Sequence, residues 1–302
     1  MRSQDVRTTD VDAFLTTDAA SGRVALAARV ALAHGGETVQ CPLYLEALDR
    51  AVEEEPPPFD TSTYAEIYVD KSADWAWMAV SLITNAEREG DGAKRLWSLS
   101  ACSEDAEVQQ LLKRHAVDEA RHALLYLALL DLTFADNVDG DFRVELNQLS
   151  PRYSLKQELI PVEGSPYAKD PSIDDFIQMN IAEIRTAIHH IMQRPAMARY
   201  FTVENQRRIR SIQDSLLRDE LKHVNYTAAL IERIAQTLTE EELAGLFRRR
   251  FRDFNQITLD ELGEGAGIFD CSVACCERHP TCRSKVPSTS VPSTFELIQI
   301  AG

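Results

Sequence analysis

Long apolar runs are missing from this 302-residue chain. Nothing approaches the roughly 18 consecutive apolar residues that a membrane-spanning helix needs, so no membrane role is expected. The first ten residues, Met1 to Asp10, are polar and lack the apolar stretch of a secretory signal, and a cytoplasmic protein is expected. Strand-like alternation of apolar and polar residues is also absent, which leaves an all-α fold. Positive charge is in short supply. Only 32 Lys and Arg stand against 48 Asp and Glu, a formal charge of −16, which argues against a nucleic-acid backbone or an anionic membrane as the main partner. Cysteine is scarce outside one segment, and the isolated Cys41 and Cys102 read as ordinary buried thiols. What remains is ordinary for a soluble globular protein: 44% hydrophobic residues, in a chain long enough to bury a sizeable core.

The pattern divides the chain into three parts. Residues 1–60 form an N-terminal segment. Its first twenty residues are polar and loosely ordered by expectation, and two short helices follow, at Val24–Ala33 (stopping at Gly35-Gly36) and at Pro42–Val52. Glu53 to Pro58 is a breaker. Residues 61–262 form a helical domain. One long helix is expected from Thr61 or Thr63 to Leu99, loosened at Gly90 and Gly92. Either a neighbouring helix near the candidate site or a local kink would account for the two glycines, because glycine inside a helix costs about 1 kcal/mol. Ser103 and the acidic residues after it begin a second helix, which runs to Phe134. Residues 136–171 are a long crossover, a pocket wall or a lid. Ser172 opens a third helix, interrupted near Pro195, and Thr202 caps a fourth running to Leu238. Thr239 starts a further helix to Leu262, whose Arg248 to Arg252 run reads as a solvated face or an internal ion-pairing partner. Residues 263–302 turn to Gly, Cys, Pro, Ser and Thr and are expected to be mostly irregular.

One motif occurs twice. Asp118-Glu119-Ala120-Arg121-His122 and Asp219-Glu220-Leu221-Lys222-His223 both read Asp-Glu-x-(Arg/Lys)-His. Positions i and i+3 share a helix face, so each Glu and its His can reach a common point. Two such helices facing one another bring two carboxylates and two imidazoles to one site. A carboxylate-bridged metal pair needs one more Glu from each of two further helices. Glu183, 37 positions before Glu220, supplies one on an apolar-rich helix. For the other there are two candidates, Glu87 and Glu89, 32 and 30 positions before Glu119. Trp75, Ala79, Leu82, Ala86, Glu89, Ala93 and Leu96 step by three and four along one inward stripe, whereas the stripe through Glu87 turns charged at Asp91 and Lys94. Glu89 is therefore preferred and Glu87 kept in reserve. Burying four carboxylates without a cation would be prohibitive, so if no metal binds, these residues must be exposed.

These residues, in this order over roughly residues 60–240, resemble the ferritin-like di-iron carboxylate superfamily. That group includes ferritins, rubrerythrins, ribonucleotide reductase small subunits, multicomponent monooxygenases, acyl-carrier-protein desaturases and amine N-oxygenases. The resemblance implies a ferritin-like four-helix bundle with extra terminal helices and a long crossover. It implies two iron ions (Fe2+/Fe3+, with manganese as the open alternative) held by Glu89, Glu119, His122, Glu183, Glu220 and His223. It further implies that Asp118 orients His223 and that Asp219 orients His122, fixing each ring from its far nitrogen. Arg121 and Lys222 occupy equivalent places beside those aspartates. The N-oxygenases carry an extra His four residues before the last Glu, where this chain has Leu216. Here His115 stands four before Glu119 instead, and it reads more readily as a pocket or core histidine than as a third ligand. His189, His190 and Tyr126 are read in the same way, as pocket or core residues.

The resemblance points to an O2-activating di-iron oxygenase that works through a bridging peroxide to hydroxylate, N-oxygenate or desaturate a small organic substrate, with O2 as co-substrate. The motif form, the His in both motifs and the long crossover favour this over ferroxidase, iron-handling or peroxide-scavenging activity, over a radical-generating subunit and over a metal-pinned scaffold. A reductase or ferredoxin as electron donor is compatible with the acidic surface. A homodimer is expected on general grounds. Cys271, Cys275, Cys276 and Cys282, with His279 nearby, leave open a small structural Zn2+ site or an oxidation-prone tail.

Overall fold

A computed structural model of the protein describes residues 22–34 and 40–262. The described residues are all-α, with nine helices, three short 3-10 turns and no strand. The helices are α1 (Arg23–His34), α2 (Pro42–Glu54), α3 (Ser62–Lys71), α4 (Trp75–Cys102), α5 (Ala106–Phe134), α6 (Gly140–Glu145), α7 (Ile173–Ala198), α8 (Gln206–Ala235) and α9 (Glu240–Leu262). None is long and apolar enough to cross a membrane. The expectations for residues 1–21, for the Gly35-Gly36 stop and for the tail with Cys271, Cys275, Cys276, His279 and Cys282 lie outside the described residues.

Four long helices carry the core. α4 packs along α5, α7 packs along α8, and the two pairs meet mainly through α5 and α8. α4 and α7 scarcely touch, and a gap is left between them. The inward stripe of α4 is buried from Ala79 through Leu82, Ala86, Glu89 and Ala93 to Leu96. α1 lies on α8 and α7, and α2 is held between α8 and α9. A buried amide ties three of these helices together: Asn180 accepts from the Tyr44 hydroxyl at 2.9 Å and donates to Thr227 Oγ1 and the Val224 carbonyl.

Helix boundaries differ from the sequence pattern in places where a polar side chain takes control of the chain. The expected single helix from residue 61 or 63 to 99 is two. α3 ends at Lys71, and Asp74 restarts the chain by accepting from the Ala76 amide. Asp105, not Ser103, caps α5, accepting from the amides of Glu107 and Val108. Ser172 caps α7 as expected and completes a reciprocal box with Asp175. Pro195 does not stop α7 at once: the proline cannot bond back to the Ile191 carbonyl, and the helix runs only to Ala198 beyond it. Thr202 accepts from Asn205, one turn ahead of the start of α8 at Gln206. The Arg248 to Arg252 run is an internal ion-pairing strip. Arg248 meets Glu54 and Glu241, Arg249 and Arg250 share Asp174, and Arg252 meets Glu55, which fastens α9 to the end of α2 and the start of α7.

The crossover is pinned down as a wall. Trp97 Nε1 donates to the Ile160 carbonyl, the Val162 amide donates to Ser98 Oγ, Lys113 Nζ reaches the Gln157 carbonyl at 2.7 Å, and Tyr153 stacks on Trp97 at 4.2 Å between ring centroids. Its closest approach explains one of the two helix glycines. A Cβ on Gly90 would stand 1.9 Å from the Leu149 carbonyl oxygen, whereas a Cβ on Gly92 would make only ordinary contact, 3.6 Å from Glu119 Oε2. The glycine is therefore required by the crossover backbone and not by a helix at the candidate site. Gly90→Ala is expected to lower stability by about 1–3 kcal/mol, the usual range for forced overpacking. Gly92→Ala should hold or raise it, since alanine is the better helix former. Thermal unfolding of the two variants checks this, and equal midpoints would contradict the assigned contact.

Candidate metal centre

The six residues of the doubled motif and its partners come together inside the four long helices. α4 supplies Glu89, α5 supplies Glu119 and His122, α7 supplies Glu183, and α8 supplies Glu220 and His223. None is more than 7% exposed. The exposure expected of these residues in a protein that binds no metal is not found. Glu87 is exposed on the outer side of α4 and takes no part, as the charged stripe around it suggested.

Two overlapping clusters share Glu119. One holds Glu89, Glu119 and His122, the other His115, Glu119, Glu183 and His223, and within each the ligand atoms lie within 4.8 Å of one another. Glu220 reaches both, with one oxygen 3.4 Å from His122 Nδ1 and the other 3.5 Å from His223 Nδ1. Both motif histidines turn Nδ1 toward the carboxylates and Nε2 outward. His122 Nε2 faces Asp219 at 3.7 Å and His223 Nε2 faces Asp118 at 3.6 Å, a crossed arrangement just beyond hydrogen-bond length. Arg121 bridges the two aspartates at 2.9 and 2.7 Å, and Lys222 holds Asp219 at 2.8 Å. An aspartate on Nε2 favours the tautomer that leaves Nδ1 free to bind a cation.

His115 belongs to this centre, against the weighting its position suggested. It is 1% exposed, its Nε2 lies 3.3 Å from Glu119 and 3.2 Å from Glu183, and its ring stacks on His223 at 3.7 Å. Its Nδ1 meets the Tyr226 hydroxyl at 2.6 Å, which aims Nε2 inward. Tyr226 escaped the sequence reading, although Glu220, His223 and Tyr226 continue one spacing of three along α8. His190 sits behind Glu220, 3.4 Å from its oxygen and 3.3 Å from the Tyr126 hydroxyl, in neither cluster. Burial, with His122 and Arg194 nearby, pushes His190 down to about 3, so it is neutral. His189 is half-buried between Tyr64 and Tyr68, with its Nε2 2.7 Å from the Tyr64 hydroxyl.

The charges show how costly this centre is. Burial and the charge of Glu119 raise Glu89 well above the usual carboxylate range. Burial and Glu183 do the same to Glu220, outweighing the attraction of His122. Burial would also raise Glu119, but its close neighbours Glu89, His115 and His122 outweigh it and hold this carboxyl well below its usual value. Glu183 is likewise lowered, with His115 overcoming burial and the repulsion of Glu119. Burial opposes charge on His115 and His122, yet the surrounding acids (and Tyr226 beside His115) raise both well above normal. Protonation is thus favoured at the groups that would hold cations. Even so, His115 Nε2, His122 Nδ1, His223 Nδ1, Glu119 Oε1 and both Glu220 oxygens are buried without a hydrogen-bond partner. Buried polar atoms are nearly always satisfied, and this many orphans pointing at one another mark a place for ions. Carboxylate oxygens with imidazole nitrogens suit iron or manganese, and four carboxylates neutralise two divalent ions.

A cavity of about 290 Å³ opens on this centre through the gap between α4 and α7. Glu89, Glu119 and Glu183 form its floor, while Leu96, Leu99, Met179 and Phe254 contribute apolar wall and Tyr167 of the crossover closes one side. No histidine lines it, and the far nitrogens of His122 and His223 face Asp219 and Asp118. No family model matches the chain, and no curated protein or solved structure matches it.

Cation binding competes with protonation of Glu89, Glu220, His115 and His122, which their surroundings favour. Uptake should therefore release protons and tighten as pH rises, because each ligand binds metal only when deprotonated. Calorimetric titration with Mn2+ in two buffers of different ionisation heat checks this, and a buffer-independent heat would contradict it.

Proposed function

We propose that the protein is a non-haem di-iron oxygenase acting on a small organic substrate, built on a ferritin-like four-helix bundle of α4, α5, α7 and α8. One observation carries the reading: three carboxylates of a buried Glu/His cluster form the floor of a largely apolar cavity that is sized for a small molecule. A storage or ferroxidase centre needs no such space beside its ligands. Glu89, Glu119 and His122 would hold one ion, and His115, Glu119, Glu183 and His223 the other, with Glu220 within reach of both. Bound iron supplies the O2 site and the electrons that let one oxygen atom enter the substrate while the other leaves as water.

The chain's own residues do the rest. Asp118 and Asp219, tied by Arg121, fix the two motif histidines from behind, so the donor set is arranged before any ion arrives. Tyr226 holds His115 in the same sense. The apolar walls keep bulk water from the reacting face, and the crossover, sewn to α4 through Trp97 and Ser98, keeps those walls in place. Repeated turnover requires an electron donor, a reductase or ferredoxin, in a cytoplasmic setting.

Anaerobic loading with Fe2+ followed by rapid mixing with O2 tests the function. A visible absorption band that persists without substrate, and disappears faster when a substrate is supplied, is the expected result. Immediate conversion to ferric product, unaffected by any added organic compound, would support ferroxidase activity instead.

A further inference from the structure

The mouth of the cavity carries a charge pattern that the metal centre does not explain. Three guanidinium groups line it: Arg88 and Arg95 from α4, and Arg185 from α7. Arg88 and Arg185 both donate to the same carboxylate, that of Glu261. The rim acids Asp91 and Asp175 are already answered by Lys94 at 2.9 Å and Lys169 at 2.6 Å. Arg95 has no carboxylate within ion-pair distance among the described residues, and its guanidinium lies 5.3 Å from the centre of the Tyr167 ring. Arg95 is therefore the unanswered cation of the entrance, in a chain whose formal charge is −16. A guanidinium laid on an aromatic face keeps its N–H edge free and its plane fixed, the arrangement that suits a two-point contact with a carboxylate.

We propose that the cavity binds a small organic acid, its carboxylate held by Arg95 at the mouth and its apolar body running past Gly92 and Met179 toward Glu89 and Glu183. This rests on the oxygenase reading of the floor. Arg95 is six residues beyond Glu89 on α4, about 9 Å along the axis at 1.5 Å per residue. The atom to be oxidised is thus remote from the acid group, and a medium-length chain fits where a short one falls short of the floor. An amine of the same shape would meet surplus positive charge on entry.

The test is calorimetric binding of octanoate, butyrate and octylamine to the wild type, Arg95→Ala and Arg95→Lys, with and without Mn2+, metal content being measured on the same samples. Octanoate is expected to bind the wild type, more tightly than butyrate or octylamine. Arg95→Ala should weaken it by about tenfold or more, the value of a lost charge-assisted hydrogen bond, and Arg95→Lys should restore part of the loss. Absence of octanoate binding, equal binding of octylamine, or octanoate binding unchanged in Arg95→Ala would overturn the proposal. The last result would mean that the acid goes to the metal ions or elsewhere. Failure of Mn2+ to load would count against the metal reading alone, since the Arg95 comparison is also made on the metal-free protein.

Discussion

Everything in this molecule is arranged around the cost of burying four carboxylates at one point. Glu89, Glu119, Glu183 and Glu220 converge from four helices into space with almost no water contact. Without compensation, their mutual repulsion and lost hydration would force the helices apart. Burial drives Glu89 and Glu220 toward their neutral forms, and the surrounding acids drive His115 and His122 toward their charged forms. Several donor atoms are left with no partner at all. Such a centre is a poor use of a core unless cations complete it, and that is the physical basis of the metal reading.

The surrounding structure follows from the need to hold this point rigid on one side and open on the other. On the closed side, α5 and α8 pack against each other and carry both doubled motifs, with Arg121 spanning the aspartates behind the histidines. On the open side, α4 and α7 diverge, and the crossover and α9 close over the gap without filling it. The close approach of Leu149 to Gly90 and the arginine strip of α9 are the fasteners of those two covers. Carboxylates therefore face the cavity and imidazoles face the interior, a polarity that would expose the reactive side of a metal pair to an organic guest.

Much of this was legible in the sequence because it is written in local spacing. The repeated three-residue interval between Glu and His placed four donors on two helix faces, and the apolar stripe from Trp75 to Leu96 separated buried Glu89 from exposed Glu87. All-α architecture followed from the missing strand alternation. The break between α3 and α4 was not legible, since apolar periodicity continues across it and only Asp74, without proline or glycine, turns the chain. His115 was undervalued because a lone histidine four residues from a ligand is usually core, and only the convergence of Glu183, His223 and Tyr226 from other helices gives it a role. The cavity rim needed α4, α7, α9 and the crossover at once, and no interval along the chain encodes such a meeting.

The proposed function requires this buried cluster to hold two cations, with Glu119 among the residues of both groups. Anaerobic equilibrium binding of Fe2+, counted per chain for the wild type, Glu119→Ala and Glu87→Ala, tests it most directly, with circular dichroism to show that each variant remains helical. The account predicts two ions in the wild type and in Glu87→Ala, and loss of at least one in Glu119→Ala. A folded wild type that takes up no stoichiometric iron, or a Glu119→Ala variant that still holds two ions, would contradict it.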